Sequence, residues 1–177
     1  MGWAINFVQN NFFQAGLFDG MVRDPLILDL DGDGIETTTL AQGVFFDKDA
    51  NGFAEQSAWA SWDDGVLAID RNGDGIINDG SELFGDQSPL SGGGTASTGF
   101  AALADLDTNS DGKIDAKDAQ FGDLRILKGD GSIYTLSELD IQSLNLTYAT
   151  TNTVDASGNT QLRLGNYTKT DNSTLAM

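Results

Sequence analysis

The 177-residue chain has no cysteine and no histidine, only two prolines, and nine basic residues against 27 acidic ones. The missing cysteine rules out disulfides and thiolate zinc sites. The missing histidine rules out Ser-His-Asp and Cys-His catalysis and removes the commonest transition-metal ligand. Any chemistry must therefore run on carboxylates, lysines, hydroxyls, the backbone and a hard metal ion. A formal charge of -18 leaves no basic stripe to replace phosphate counterions, so nucleic acid is not expected as a partner. No apolar run reaches transmembrane length. The start of the chain lacks a basic stretch and a small-residue cleavage site, so no ordinary signal peptide is expected. A hydrophobic content of 40% and this length suit one domain with its own core.

What is abundant is aspartate. Glutamate accounts for only four of the 27 acids: Glu36, Glu55, Glu82 and Glu138. A solubilising surface has no reason to prefer the shorter acid, whereas calcium loops do. An EF-hand-type loop sets oxygen ligands at its first, third and fifth positions and glycine at the sixth. A main-chain carbonyl follows at the seventh and an acid at the twelfth. Asp107, Asn109, Asp111, Gly112, the Lys113 carbonyl and Asp118 fit throughout, with Ile114 as the apolar anchor. Asp70, Asn72, Asp74, Gly75 and the Ile76 carbonyl fit as well, and their acid, Glu82, arrives one residue late. Asp29, Asp31, Asp33, Gly34 and Ile35 complete only a first half, followed by Glu36. So do Asp47, Asp49, Asn51, Gly52 and Phe53. Leu40 and Ala58 stand where these two loops need an acid, so Glu36, Glu55, water or a distant group must supply it. Each motif alone reads as a solvated Asp-Gly turn. Four at matching spacing point to bound Ca2+ rather than Mg2+, which prefers a few carboxylates plus water. Lys128 to Ile133 lacks the early acids and reads as a plain hairpin turn.

Short apolar runs between these loops predict strands at 26–28, 43–46, 65–69, 124–127, 141–148 and 161–167. Asp63-Asp64-Gly65 reads as a turn. Thr98 predicts a helix cap with the helix running to Ala104, and a second helix is expected from about Ala116. Residues 88–99 read as a flexible loop and 168–177 as a frayed tail. Ahead of these, residues 1–24 form a flanking segment in which Ala4, Val8 and Phe12 suit one face of a helix. The expected architecture is α+β: short antiparallel strands and short helices joined by EF-hand-like or dockerin-like calcium loops, in a module spanning 25–177.

The run Asp24-Pro25-Leu26-Ile27-Leu28-Asp29-Leu30-Asp31-Gly32-Asp33-Gly34-Ile35-Glu36-Thr37 resembles the start of the calcium-dependent self-processing module of FrpC-type RTX (repeat-in-toxin) secreted proteins. The resemblance continues at Asp63-Asp64-Gly65, at Asp70 to Ile77, and at Glu82-Leu83-Phe84-Gly85-Asp86. It returns at Leu103 to Asp107, Ile141 to Leu144 and Tyr167 to Asp171. The family has a further acidic loop after the 124–127 strand, where this chain keeps only Asp130-Gly131. The resemblance implies a secreted bacterial protein, calcium-triggered cleavage of the Asp24-Pro25 bond, and linkage of the new Asp terminus to a lysine amine.

The residues make that chemistry reasonable. The Asp24 carboxylate can attack its own main-chain carbonyl and close a five-membered anhydride, an intramolecular step with high effective molarity. The tertiary amide of proline twists more readily than an ordinary peptide. With no histidine, the proton for the leaving nitrogen is expected from a carboxylic acid of raised pKa that is not itself a tight calcium ligand. Water, or Lys48, Lys113, Lys117, Lys128, Lys169 or a lysine of another protein, can open the anhydride. The competing readings are a calcium-rigidified structural or adhesin module and a dockerin-like partner binder. On either of these, Asp24-Pro25 is only a strand-entry turn.

Overall fold

The computed structural model describes residues 24–177, so the expected helix over Ala4, Val8 and Phe12 lies outside the described residues. Up to residue 133 the strands are short because Asp/Gly loops interrupt the chain every few residues. The strands are β1 (Ile27–Leu28), β2 (Val44–Phe46), β3 (Glu55–Ser57), β4 (Gly65–Ile69), β5 (Lys113–Ile114) and β6 (Leu124–Lys128). After them come β7 (Ile133–Thr135), β8 (Ile141–Asn145), β9 (Ala149–Val154), β10 (Thr160–Leu164), β11 (Asn166–Lys169) and β12 (Thr174–Ala176). They pair antiparallel in the orders β1-β4-β6-β7, β2-β3, β12-β11-β8-β5 and β10-β9.

The α+β expectation is corrected by this count. One α-helix, α1 (Gly99–Ala104), stands among the described residues against twelve strands, so the fold is mostly β. Thr98 does cap α1, its side chain accepting from the Ala101 N–H. The helix expected near Ala116 is replaced by turns and a 3-10 turn at Phe121–Asp123. No described loop lies between two α-helices, so none is an EF-hand in the helix-loop-helix sense. The acidic loops join strands instead, and dense Asp-Gly sequence leaves too few residues between them for helix nucleation.

Three further readings change. The 161–167 run splits at Gly165, whose N–H and C=O both bond to Met177. A side chain at that glycine would meet the Phe100 ring at 2.6 Å. The tail is not frayed, since β12 pairs with β11 and Met177 is buried. Residues 88–99 fold back on themselves through a Pro89–Thr95 bridge, with Ser88 and Ala96 buried. The Lys128–Ile133 stretch is the hairpin turn between β6 and β7.

β4 is the centre of the packing because it is buried on both faces. Leu67 and Ile69 join the main core with Leu28, Phe84, Leu103, Ile114, Ile126, Leu144 and Tyr167. Val66 and Ala68, alternating with them, join a second cluster around Phe46, Trp59, Ile77, Leu83 and Leu127. The alternation follows from the two-residue period of a strand. Each fully buried Leu or Ile contributes roughly 1.5–3 kcal/mol. The fold thereby places three acidic loops directly beyond the ends of core strands: Asp29 after β1, Asp47 after β2 and Asp70 after β4.

Candidate metal loops and the Asp24-Pro25 junction

The Asp107 loop shows how such a segment closes. Asp107 accepts from the N–H groups of Asp111 (3.2 Å) and Gly112 (3.0 Å), and Asn109 accepts from Asp111 (2.8 Å). Asp118, 4% exposed, reaches back to the Thr108 N–H at 2.9 Å and to the Asp115 N–H at 3.0 Å. Those donors hold its carboxyl below the usual range, the Asp115 N–H contributing most. Ile114 is buried as the expected anchor, and the Lys113 side chain pairs with Asp115 at 2.9 Å.

The Asp70 loop repeats this geometry. Asp70 accepts from Gly73 and Gly75, Asn72 from Asp74, and Asp74 from Ile76. Glu82, 1% exposed, takes the Arg71 N–H at 3.2 Å and the Asn78 N–H at 3.0 Å. The late acid therefore reaches the same place as Asp118, the N–H of the residue after the first aspartate. Ile77 is the buried anchor, and Ile76 is exposed.

The Asp29 loop finds its closing acid on another strand. Asp64 accepts from the Leu30 N–H at 3.3 Å and the Glu36 N–H at 2.7 Å. Leu30 stands where Arg71 and Thr108 stand in their loops, so Asp64 occupies the position of Glu82 and Asp118. It comes from 34 residues away. The pairing Leu28↔Gly65 sets it opposite Asp29. Locally, Asp63-Asp64-Gly65 reads only as a turn; the pairing of 26–28 with 65–69 is what brings Asp64 to the Asp29 loop. Asp29 is itself fixed by the Tyr167 hydroxyl, which donates to its carbonyl at 2.6 Å, and by an N–H bond to Ala176.

Asp29, Asp31 and Asp64 each bring a carboxylate oxygen within 4.8 Å of the others. Among the described residues, no cationic side chain is a cause of the Asp64 shift. Burial and the neighbouring Asp29 and Asp63 charges push the Asp64 carboxyl up to about 7, against the pull of its two N–H donors. Asp33 is raised mainly by its carboxyl contact with Asp31, and Glu36 mainly by the Asp33 charge. The buried Asp63 Oδ1 accepts no hydrogen bond from the described residues. Close hard oxygens, an orphaned buried oxygen and raised acids fit a hard divalent cation. Ile35 is half-buried at the seventh position and Glu36 is exposed.

A second close group is Asp47, Asp49 and Glu55. Asp47 takes the N–H groups of Asn51 and Gly52, and Asn51 takes that of Phe53. Glu55, on β3, supplies the acid that Ala58 does not. Among the described residues, the Asp70 and Asp107 loops gather no third acidic side chain this close.

The Asp24-Pro25 junction lies between these loops. The Leu26 N–H bonds to Phe84 C=O and the Leu67 N–H to Leu26 C=O. One residue past Leu83, Phe84 is tied to the loop that Glu82 closes. The Asp24 carbonyl packs on glycine backbone: a side chain at Gly99 would meet it at 2.8 Å and one at Gly85 at 3.5 Å. Asp24 Oδ2 accepts from Arg163 Nη1 at 2.8 Å and from the Gly99 N–H at 3.4 Å. Burial raises the Asp24 carboxyl, and Arg163 opposes it. A cavity of about 380 Å³ opens beside the junction, lined by Trp59, Phe100, Lys48, Asp155 and Arg163 among others. Lys48 and Asp86 also line a small cleft with Asp24 and Pro25.

A mostly β module with acidic loops set around one Asp-Pro junction is the class that fold and site define. The chain belongs to the SPM-domain family, whose model matches residues 26–177. It is 45% identical over 185 aligned residues to "Iron-regulated protein FrpA" of Neisseria meningitidis serogroup C. That alignment takes in 99% of this chain and 16% of the relative, so the chain spans about a sixth of that protein. The match is consistent with the FrpC-type relationship carried by the motifs. Among the described residues, no helix is long and apolar enough to cross a membrane.

Proposed function

We propose that this is a calcium-dependent self-processing module of a secreted bacterial RTX-type protein, which folds on Ca2+ and cuts its own Asp24-Pro25 bond. The observation that carries the reading is the double anchoring of the junction. Pro25 leads directly into β1 and the Asp29 loop, while Leu26 is bonded to Phe84 beside the Asp70 loop. Bound ions would supply positive charge to Asp29, Asp31 and Asp64, to Asp47, Asp49 and Glu55, and to the Asp70 and Asp107 loops, allowing these carboxylates to stay together at neutral pH.

The chain's own atoms then do the covalent work. An Asp24 carboxylate oxygen bonds to the Asp24 main-chain carbonyl carbon, and the carbon–nitrogen bond to Pro25 breaks. The electron pair goes to the Pro25 nitrogen, which takes up a proton, directly or through water, from the clefts beside the junction that Lys48 lines. The products are a cyclic anhydride at residue 24 and a free prolyl amine. Water opens the anhydride to two carboxyl groups. A lysine amine, of Lys48 or of another protein, opens it to an amide and one carboxyl group, releasing a proton.

The test is to purify the chain in chelator, add millimolar calcium, and follow intact mass and a denaturing gel. Fragments 1–24 and 25–177 are expected, and Pro25→Ala should abolish them. A chain that folds in calcium yet stays whole would leave only a calcium-rigidified structural module.

A further inference from the structure

We propose that Arg163 is the positioning residue for this cleavage, pinning one oxygen of the Asp24 carboxylate so that the other is the attacking atom. The inference rests on the self-cleavage reading above. Both hydrogen bonds that the described residues give this carboxylate fall on Oδ2, from Arg163 Nη1 at 2.8 Å and from the Gly99 N–H at 3.4 Å. Oδ1 is left to react. The pair is largely sequestered, with side-chain exposures of 26% for Arg163 and 18% for Asp24. It is therefore less screened than a surface ion pair.

The guanidinium is itself held in place. It lies over the Tyr148 ring, 5.8 Å from the centroid, and Tyr148 stacks on Phe100 with centroids 4.6 Å apart. Phe100 follows Gly99 on α1. The start of one helix thus supplies both the second donor to Asp24 and the seat for the first.

Ring closure needs the carboxylate ionised and its rotation arrested. Burial alone favours the neutral acid, which is a poor nucleophile. Of the other charged groups around Asp24, Asp86 opposes ionisation, and Lys48 and Asp155 line the adjoining cavity. Pairing with a guanidinium lowers the basicity of the carboxylate and so slows attack a few-fold. Fixing the geometry of a near-attack arrangement is worth far more, since small misplacements cost about 100-fold.

The experiment compares the full chain with R163Q and R163K. Each is purified in chelator and started with calcium across a pH series, with cleavage followed by intact mass and folding by tryptophan fluorescence, to which the buried Trp59 contributes. R163Q should fold with calcium yet cleave roughly 10- to 100-fold more slowly, with the acid limb of its pH–rate profile displaced upward. R163K should return that limb towards the wild-type position while staying slower, because an ammonium keeps the charge but loses the fixed fork of the guanidinium. A folded R163Q matching wild type in rate and pH limb would overturn the positioning role and leave self-cleavage standing. An uncleaved wild-type chain would overturn the cleavage reading and this inference with it. If R163Q does not fold, R163K decides: a rate equal to wild type overturns the pinning.

Discussion

Two main-chain N–H groups point into the buried Asp64 carboxylate. Asp64→Asn would set an amide donor against one of them and remove one of the three close carboxylates of the Asp29 loop. One lost bond at a buried site costs about 1–3 kcal/mol, and on the proposed calcium-dependent function the lost charge should weaken binding at this loop roughly 10- to 100-fold. Calcium titration of D64N by calorimetry should therefore show one site weakened by about that factor, with the others retained. Asp24 gives a pH prediction. Burial raises its carboxyl above the ordinary 3.8, and the attack needs the ionised form. Cleavage should therefore fail as pH falls through a point above the ordinary aspartate range. The stability term runs the other way. A raised folded-state pKa means the native chain holds that proton more tightly, so the contribution of Asp24 to stability is full at low pH and is lost as pH rises through the folded pKa. Single-turnover rates and chemical denaturation across pH 4–8 should move in opposite senses for this residue.

The β9–β10 hairpin carries Arg163, and its attachment to the module is polar. Asn159 Nδ2 donates to Thr37 Oγ1 at 2.6 Å and to Thr38 C=O at 2.9 Å, Ser157 Oγ donates to Thr37 C=O, and the Thr37 hydroxyl donates to Asp155. Asn159→Ala should cost about 1–2 kcal/mol of local stability. It should appear as faster amide exchange confined to β9 and β10 and as slower cleavage, because Arg163 moves with the hairpin. At this scale the sequence was a fair guide where one run meets one loop. The strands at 26–28, 65–69 and 124–127, the Thr98 cap and the Lys128–Ile133 turn all stand. It misled where long-range pairing decides. The 168–177 tail is polar, yet it is captured because β11 offers an edge and Gly165 lets Met177 approach. A helix from Ala116 satisfied the local signals, but Asp115 and Asp118 bend the backbone into turns by accepting its N–H groups.

Across the whole molecule, charge and topology work against each other. A net charge of -18 repels itself, and the acids that the fold brings together are among its most buried: Asp29, Asp47, Asp64, Glu82 and Asp118. The four acidic loops were legible because their Asp, Asn and Gly residues lie close together in the chain. The closing acid Asp64 and the partner Arg163 were not, because they lie 34 and 139 residues from the groups they serve. Such pairs exist only in the folded chain, so cleavage should be a property of the folded state and of no shorter peptide around Asp24-Pro25. The most direct test is one calcium titration of the chelator-purified chain, reading Trp fluorescence for folding and intact mass for a fragment beginning at Pro25. An unfolded, uncleaved chain is expected in chelator, with folding and cleavage at Asp24-Pro25 appearing over the same calcium range. A chain already folded in chelator, or one fully folded in calcium with Asp24-Pro25 intact, would contradict that expectation.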